Sequence, residues 1–329
     1  MRFSDILGQE KNKSHFRQAI KAGTASHAYI IEGEKSSGKM MLAKAFAQAL
    51  LCENFDEEPC GICPSCLKVE SKSHPDIIYV NHEKANLISV DEIRTQVDND
   101  ILIKPYEADH KVYIIDESDK MNDQAQNAIL KTIEEPPSYG VIILLTDNAN
   151  KLLPTIRSRC IKLSMVPVNA QLLQKYLMEN YELVDYQAAA YAAYSQGVVG
   201  EAINMISASD ENERREKVVS LLSRLPHADA VTLKTNLKFL EDEKDYLPEI
   251  FNLMTIWYRD VLLYKSTGQS RKLVFQSEER AIREIAENTS YHGISKSLDD
   301  IEKARIRMRS NVNKTTNLDL LLRKLKENK

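Results

Sequence analysis

The segment Gly33-Glu34-Lys35-Ser36-Ser37-Gly38-Lys39 has the spacing of a phosphate-cradling loop. In such a loop the glycines let backbone N–H groups close around phosphate, and the lysine meets the β and γ oxygens. Position 40, where a serine or threonine hydroxyl would hold Mg²⁺, is Met40. A thioether cannot take that role. By itself the pattern fits an ordinary strand–turn–helix as well as a nucleotide fold.

Three further groups of residues weigh on that choice. Lys111-Val-Tyr-Ile-Ile-Asp116-Glu117 is an apolar run ending in two acids, the arrangement by which Asp116 could assist Mg²⁺ and Glu117 position a water. Solvated acids at a strand end are the plain alternative. Val141-Ile-Ile-Leu-Leu-Thr146 is a second buried-type strand with a hydroxyl at its carboxyl end, followed by Arg157-Ser158-Arg159-Cys160. An arginine at a subunit border can stabilise a neighbour's γ-phosphate, although on the residues alone surface ion pairs are the better account of Arg157 and Arg159.

The third group is Cys52, Cys60, Cys63 and Cys66, four thiols within fifteen residues, with Gly61 and Pro64 bending the chain between them. Two overlapping C-x-x-C pairs and a fourth thiolate suit tetrahedral Zn²⁺, and a full sulfur shell leaves no open position, so the zinc is expected to be structural. Disulfides or redox thiols are the competing reading. Met1-Arg2-Phe3-Ser4-Asp5 leads into polar sequence without a secretory signal, which favours a reducing, cytoplasmic setting. His74 and His82 are read as ordinary loop residues and Cys160 as a small apolar one.

These residues need a scaffold. Up to about residue 165, short β-rich runs (28–31, 76–80, 111–116, 141–146, 160–163) alternate with helical stretches (9–21, 38–51, 90–102, 122–134), the pattern of a parallel sheet covered on both faces. Glu134-Glu135-Pro136-Pro137 ends the last of these helices. After Val166-Pro167 the periodicity is wholly helical, with short helices at 169–179, 185–195 and 200–207. A polar stretch, 208–213, then precedes a long helical remainder.

The 329 residues, 43% apolar, supply material for two or three cores, and no apolar run reaches eighteen residues. The net charge of −4 argues against a dedicated nucleic-acid binder, but it is uneven: residues 265–329 carry 15 basic and 9 acidic side chains. Lys303, Arg305, Arg307 and Arg309 spread charge around a helix, the habit of a solvated or subunit-facing surface.

In combination, Ile6-Leu7-Gly8-Gln9-Glu10, His27-Ala28-Tyr29, the altered phosphate loop, the cysteine group, Asp116-Glu117 and Ser158-Arg159-Cys160 resemble the bacterial clamp-loader subunits of the AAA+ class. The likeness runs in order from the first residues to about position 208, and Asn311-Val-Asn313 with the following leucines resembles the family's last collar helix.

The resemblance implies an α/β plus all-α fold. It would comprise an AAA+ P-loop domain over 1–166 carrying a zinc module at 52–66, a three-helix lid over 167–208, and a helical collar over 209–329. It also implies that Gly33, Gly38, Lys39, Asp116, Glu117 and Thr146 form a degenerate nucleotide site, that Arg159 is a finger acting on the adjacent subunit, and that the four cysteines bind zinc. The implied partners are tau/gamma-type motor subunits and a delta subunit in a ring, with a sliding clamp and primed DNA reached through the complex. The chain would then belong to a DNA polymerase (nucleotidyltransferase) holoenzyme without hydrolysing ATP itself. Met40 and Glu201, an acid where motor subunits carry a second-sensor arginine, support that expectation. Lys39 and Glu117 leave nucleotide binding open. The rival expectation is a self-sufficient AAA+ ATPase, such as a motor subunit or helicase loader. A zinc hydrolase is disfavoured by the four-thiol set.

Overall fold

The computed structural model describes residues 1–84, 86–181, 183–210, 212–270, 273–308 and 313–328. Glu211 of the expected boundary, Arg309 of the basic run, and Asn311 and Val312 lie outside them. The chain divides into two compact units, Met1–Leu173 with Gln196–Gly200, and Gln174–Ser195 with Glu201–Lys329.

The first unit is built on five parallel strands: β1 (Ala28–Glu32), β2 (Ile77–Val80), β3 (Lys111–Ile115), β4 (Gly140–Thr146) and β5 (Ile161–Ser164). Their spatial order is β2-β3-β4-β1-β5, so β1 lies between β4 and β5. Every connection is therefore a crossover. In open sheets of this kind ligands gather beyond the carboxyl ends of the strands.

Alternation along each strand feeds two cores. Tyr29 and Ile31 face one side with Phe3, Phe16, Leu42 and Phe46, whereas Ala28 and Ile30 face the other with Ile93, Val97, Ile129 and Ile133. Phe16 of α1 (Glu10–Lys21) stacks on Phe46 of α2 (Lys39–Leu50), with ring centroids 3.9 Å apart. Each such fully buried ring contributes about 1.5–3 kcal/mol.

Short helices complete the unit: α3 (Pro64–Glu70), α4 (Val90–Ile93), α5 (Asp123–Glu134) and α6 (Pro154–Arg157). The helix expected over 90–102 changes pitch, passing from α4 through a π-turn at Arg94–Asp98 to a 3₁₀ turn at Asp100–Leu102. Ile93, Val97 and Ile101 stay buried throughout.

One buried pair fixes the segment leading into β3. The carboxylate of Asp76 accepts the backbone N–H groups of Tyr106, Glu107 and Ala108 at 2.6–3.0 Å. Lys111, 1% exposed, donates to the carbonyls of Asp100 and Ile103 and pairs with Asp100.

The second unit is helical. Ile256, Trp257, Tyr258 and Val261 of the helix Leu247–Thr267 are buried in its core. Trp257 meets Phe275 edge-on at 5.6 Å, and buried Asp260 accepts the Phe275 N–H at 2.8 Å. Among the described residues, no helix is long and apolar enough to cross a membrane.

Candidate functional site

The phosphate-type loop joins β1 to α2, where the switch from strand to helix period puts it. Gly38, at φ 91°, adopts a left-handed backbone that costs glycine little and caps α2. Ser36 is also left-handed, at φ 63°. Its carbonyl accepts the Gly200 N–H at 3.1 Å, and a Cβ on Gly200 would lie 2.5 Å from that oxygen. Gly33 donates its N–H to the Thr146 carbonyl at 3.1 Å, tying the loop to the end of β4.

Within this loop Lys39 is nearly enclosed. Its ammonium donates to the Gly33 carbonyl at 2.8 Å, the Glu34 carbonyl at 3.0 Å and Asp147 Oδ1 at 2.6 Å. An ammonium carries three donors, so these partners use all of them. Met40 packs against the core beside α2. Glu34 is exposed.

Gly33, Gly38, Lys39 and Thr146 are thus gathered at one point. The side chain that completes the group is Asp147, which the sequence reading passed over. The only available signal was its place directly after a buried strand, a position shared by many solvated loop acids. Thr146 itself is buried; its hydroxyl donates to Asp119 at 3.2 Å and accepts the Asn148 N–H at 3.0 Å.

The paired acids after β3 make local contacts. Asp116 accepts the Glu117 N–H at 2.8 Å. Glu117, left-handed at φ 48°, meets Lys120 at 2.5 Å and lies 3.5 Å from His82 Nε2. His82 Nδ1 contacts the Lys84 carbonyl at 2.7 Å. At position 201, Glu201 pairs with Arg305 at 3.3 Å, both in the helical unit.

Of the arginines that follow β4, Arg157 ends α6 and Arg159 stands in the turn between α6 and β5. Arg157 donates to Asn150 Oδ1 at 2.8 Å. Arg159 places Nη2 2.9 Å from Glu134 and Nη1 3.0 Å from the Thr155 carbonyl, and its side chain remains 40% exposed. Cys160 is half-buried, and burial pushes its thiol up to about 12, consistent with an inert packing residue.

The four remaining cysteines converge. Their Sγ atoms all lie within 4.8 Å of one another, and Cys60 Sγ is 4.0 Å from Cys66 Sγ. These separations are too long for a disulfide and close to the ~3.8 Å sulfur–sulfur edge of a tetrahedron with Zn–S bonds of about 2.3 Å. Backbone N–H groups of Cys60, Cys63 and Cys66 point at the sulfurs of Cys52, Cys60 and Cys63 at 3.2–3.4 Å. The N–H groups of Ile62 and Cys63 draw the Cys60 thiol down to about 6, whereas burial pushes Cys66 up to about 12. The donor set fits a soft, four-coordinate metal. His74 is not among its members: it is buried, with Nε2 3.1 Å from Ser65 and Nδ1 accepting the Asp76 N–H at 3.1 Å.

The family described as DNA polymerase III, delta subunit, matches residues 8–169, and the one described as DNA polymerase III, delta subunit, C terminal, matches residues 209–325. DNA polymerase III subunit delta' of Bacillus subtilis is 29% identical over 300 residues, covering 90% of this chain and 89% of that protein. Subunit tau of the same organism is 28% identical over 332 residues, covering 94% of this chain but only 58% of tau. A gamma subunit-related protein from Thermotoga maritima, of known structure, is 21% identical, covers 96% of this chain and 99% of its own, and superposes with a TM-score of 0.48. With the two delta-subunit family models together matching most of its length, the chain belongs to the DNA polymerase III delta-subunit family.

Proposed function

We propose that this chain is a non-motor, delta-prime-type subunit of a DNA polymerase III clamp loader. It would lend Arg159 to the ATP site of an adjacent motor subunit while leaving its own phosphate loop idle. The observation that carries this reading is the state of Lys39, whose three donors are taken by two loop carbonyls and Asp147. Met40 adds to it by offering no hydroxyl to Mg²⁺ and joining the core instead. Similarity to a delta' subunit over nine-tenths of the chain supports the same assignment.

In this reading the partners are tau/gamma-type motors and a delta subunit in a hetero-oligomeric ring. The assembly opens a sliding clamp for placement on primed DNA in the cytoplasm. The chain would act in three parts: a P-loop domain at 1–166, a lid at 167–208 and a collar at 209–329. Cys52, Cys60, Cys63 and Cys66 would hold a structural zinc that takes no part in nucleotide chemistry. Bound there, Zn²⁺ would cross-link the 52–66 segment.

The deciding measurement is ATP turnover of the reconstituted complex. Arg159→Ala should reduce it steeply, since an engaged finger is worth about 10³–10⁵ in turnover, whereas Lys39→Ala should leave it near wild type. Abolition by Lys39→Ala would sink the idle-loop assignment. A second reading, an active AAA+ ATPase, draws on Lys39, Asp116, Glu117 and Thr146 standing at their motif positions. Brisk DNA-stimulated hydrolysis by the isolated chain would favour it.

A further inference from the structure

Arg159 does not hang free at the edge of the sheet. Its guanidinium is gripped at two points from two different elements: Nη1 by the Thr155 carbonyl of α6 at 3.0 Å, and Nη2 by the carboxylate of Glu134 at 2.9 Å. Ser158 Oγ, itself donating to the Thr155 carbonyl at 3.0 Å, lies 3.4 Å from Nη1.

Glu134 is the last residue of α5, and the helix stops there because Pro136 and Pro137 follow. Its own backbone is thereby fixed at a defined helix end. Both side chains of the pair are about two-fifths exposed, so the ion pair adds little to stability. Its effect is on direction. A long arginine side chain gives up rotamer entropy when immobilised, and a side chain already held contributes that ordering in advance. The guanidinium fork has five donors, and two anchoring contacts orient the plane without exhausting it.

We infer that Glu134 is a positioning residue for Arg159: it holds the guanidinium plane in the direction from which it reaches a phosphate on a neighbouring subunit. This rests on the reading of Arg159 as a residue acting in trans. A guanidinium displaced by about 1 Å can lose on the order of 10²-fold in rate.

The test is a double-mutant cycle on the reconstituted complex, with ATPase kcat and KM measured for Glu134→Ala, Glu134→Gln, Arg159→Ala and the double variant. Glu134→Ala should lower kcat roughly tenfold with KM for ATP little changed, a partial form of the misplacement loss. Glu134→Gln keeps an acceptor oxygen and should restore most of it. In the Arg159→Ala background Glu134→Ala should have no further effect, since the two act as one unit.

An unchanged or raised kcat in Glu134→Ala, with Arg159→Ala impaired, would overturn the positioning role alone. An equal loss from Glu134→Ala in both backgrounds would also overturn it, by showing an action that bypasses Arg159. Wild-type turnover in Arg159→Ala would overturn both this role and the trans reading.

Discussion

Lys39 Nζ lies 2.6 Å from Asp147 Oδ1, so the base of the phosphate loop and the acid just beyond β4 neutralise one another within a single subunit. Lys39 is nearly buried, whereas Asp147 is more than half exposed. The pair therefore works as a latch with one face in water. Asp147→Asn should loosen it and strengthen binding of a nucleoside triphosphate, by no more than about fivefold because solvent screens the pair. Equilibrium binding with and without Mg²⁺ would measure this, and an affinity unchanged by the substitution would remove the latch from the account.

Gly200 should be intolerant of any side chain. A methyl there would press to 2.5 Å on the Ser36 carbonyl, which already accepts the Gly200 N–H. Gly200→Ala is expected to destabilise the first unit by about 1–3 kcal/mol, the usual effect of overpacking. Denaturant unfolding of the variant checks this; a midpoint equal to wild type would mean that the contact yields without resistance.

Zinc should be bound at one ion per chain and lost on alkylation of the four thiols. If free zinc stands at about a thousand times its dissociation constant, its removal costs ~4 kcal/mol of apparent stability. Thermal unfolding before and after chelation reads this directly. Cys63→Ser or Cys66→Ser should reproduce the loss, and a metal-free chain with unchanged melting would refute the structural role.

Acid stability should depend on Glu32. Lys162 at 2.7 Å and the Ala149 N–H at 2.7 Å hold its carboxyl below the usual range. A carboxylate depressed in the folded state contributes stability that is complete above its unfolded pKa and vanishes as pH falls through the lower folded value. Lys162→Met should therefore shift acid unfolding to higher pH. The change should stay under ~1 kcal/mol because Lys162 is half exposed. An acid midpoint that moves down, or not at all, contradicts the assignment.

Much of this was legible before any coordinates. The alternating strands, the loop between β1 and α2 and the four thiols follow from periodicity and spacing, because each is a local pattern with one cheap solution. What escaped was non-local or too short. Asp147 meets Lys39 across 108 positions of sequence, and nothing in its neighbourhood marks it as different from a solvated acid. The helix Pro64–Glu70 was hidden inside the cysteine cluster, where Pro64 reads as a bend although it stands at a first-turn position that suits proline, directly after the capping Cys63. The change of pitch between Val90 and Leu102 was invisible because the buried face keeps its spacing while the hydrogen bonds do not.

The stitching of the chain ahead of β3 by Asp76 and Lys111 has a mechanical meaning. Two charges that could have faced water are spent on backbone groups at the rim of the sheet far from β5, tying the connection down at Asp100, Ile103 and 106–108. Opening that rim would mean breaking three bonds to one carboxylate at once.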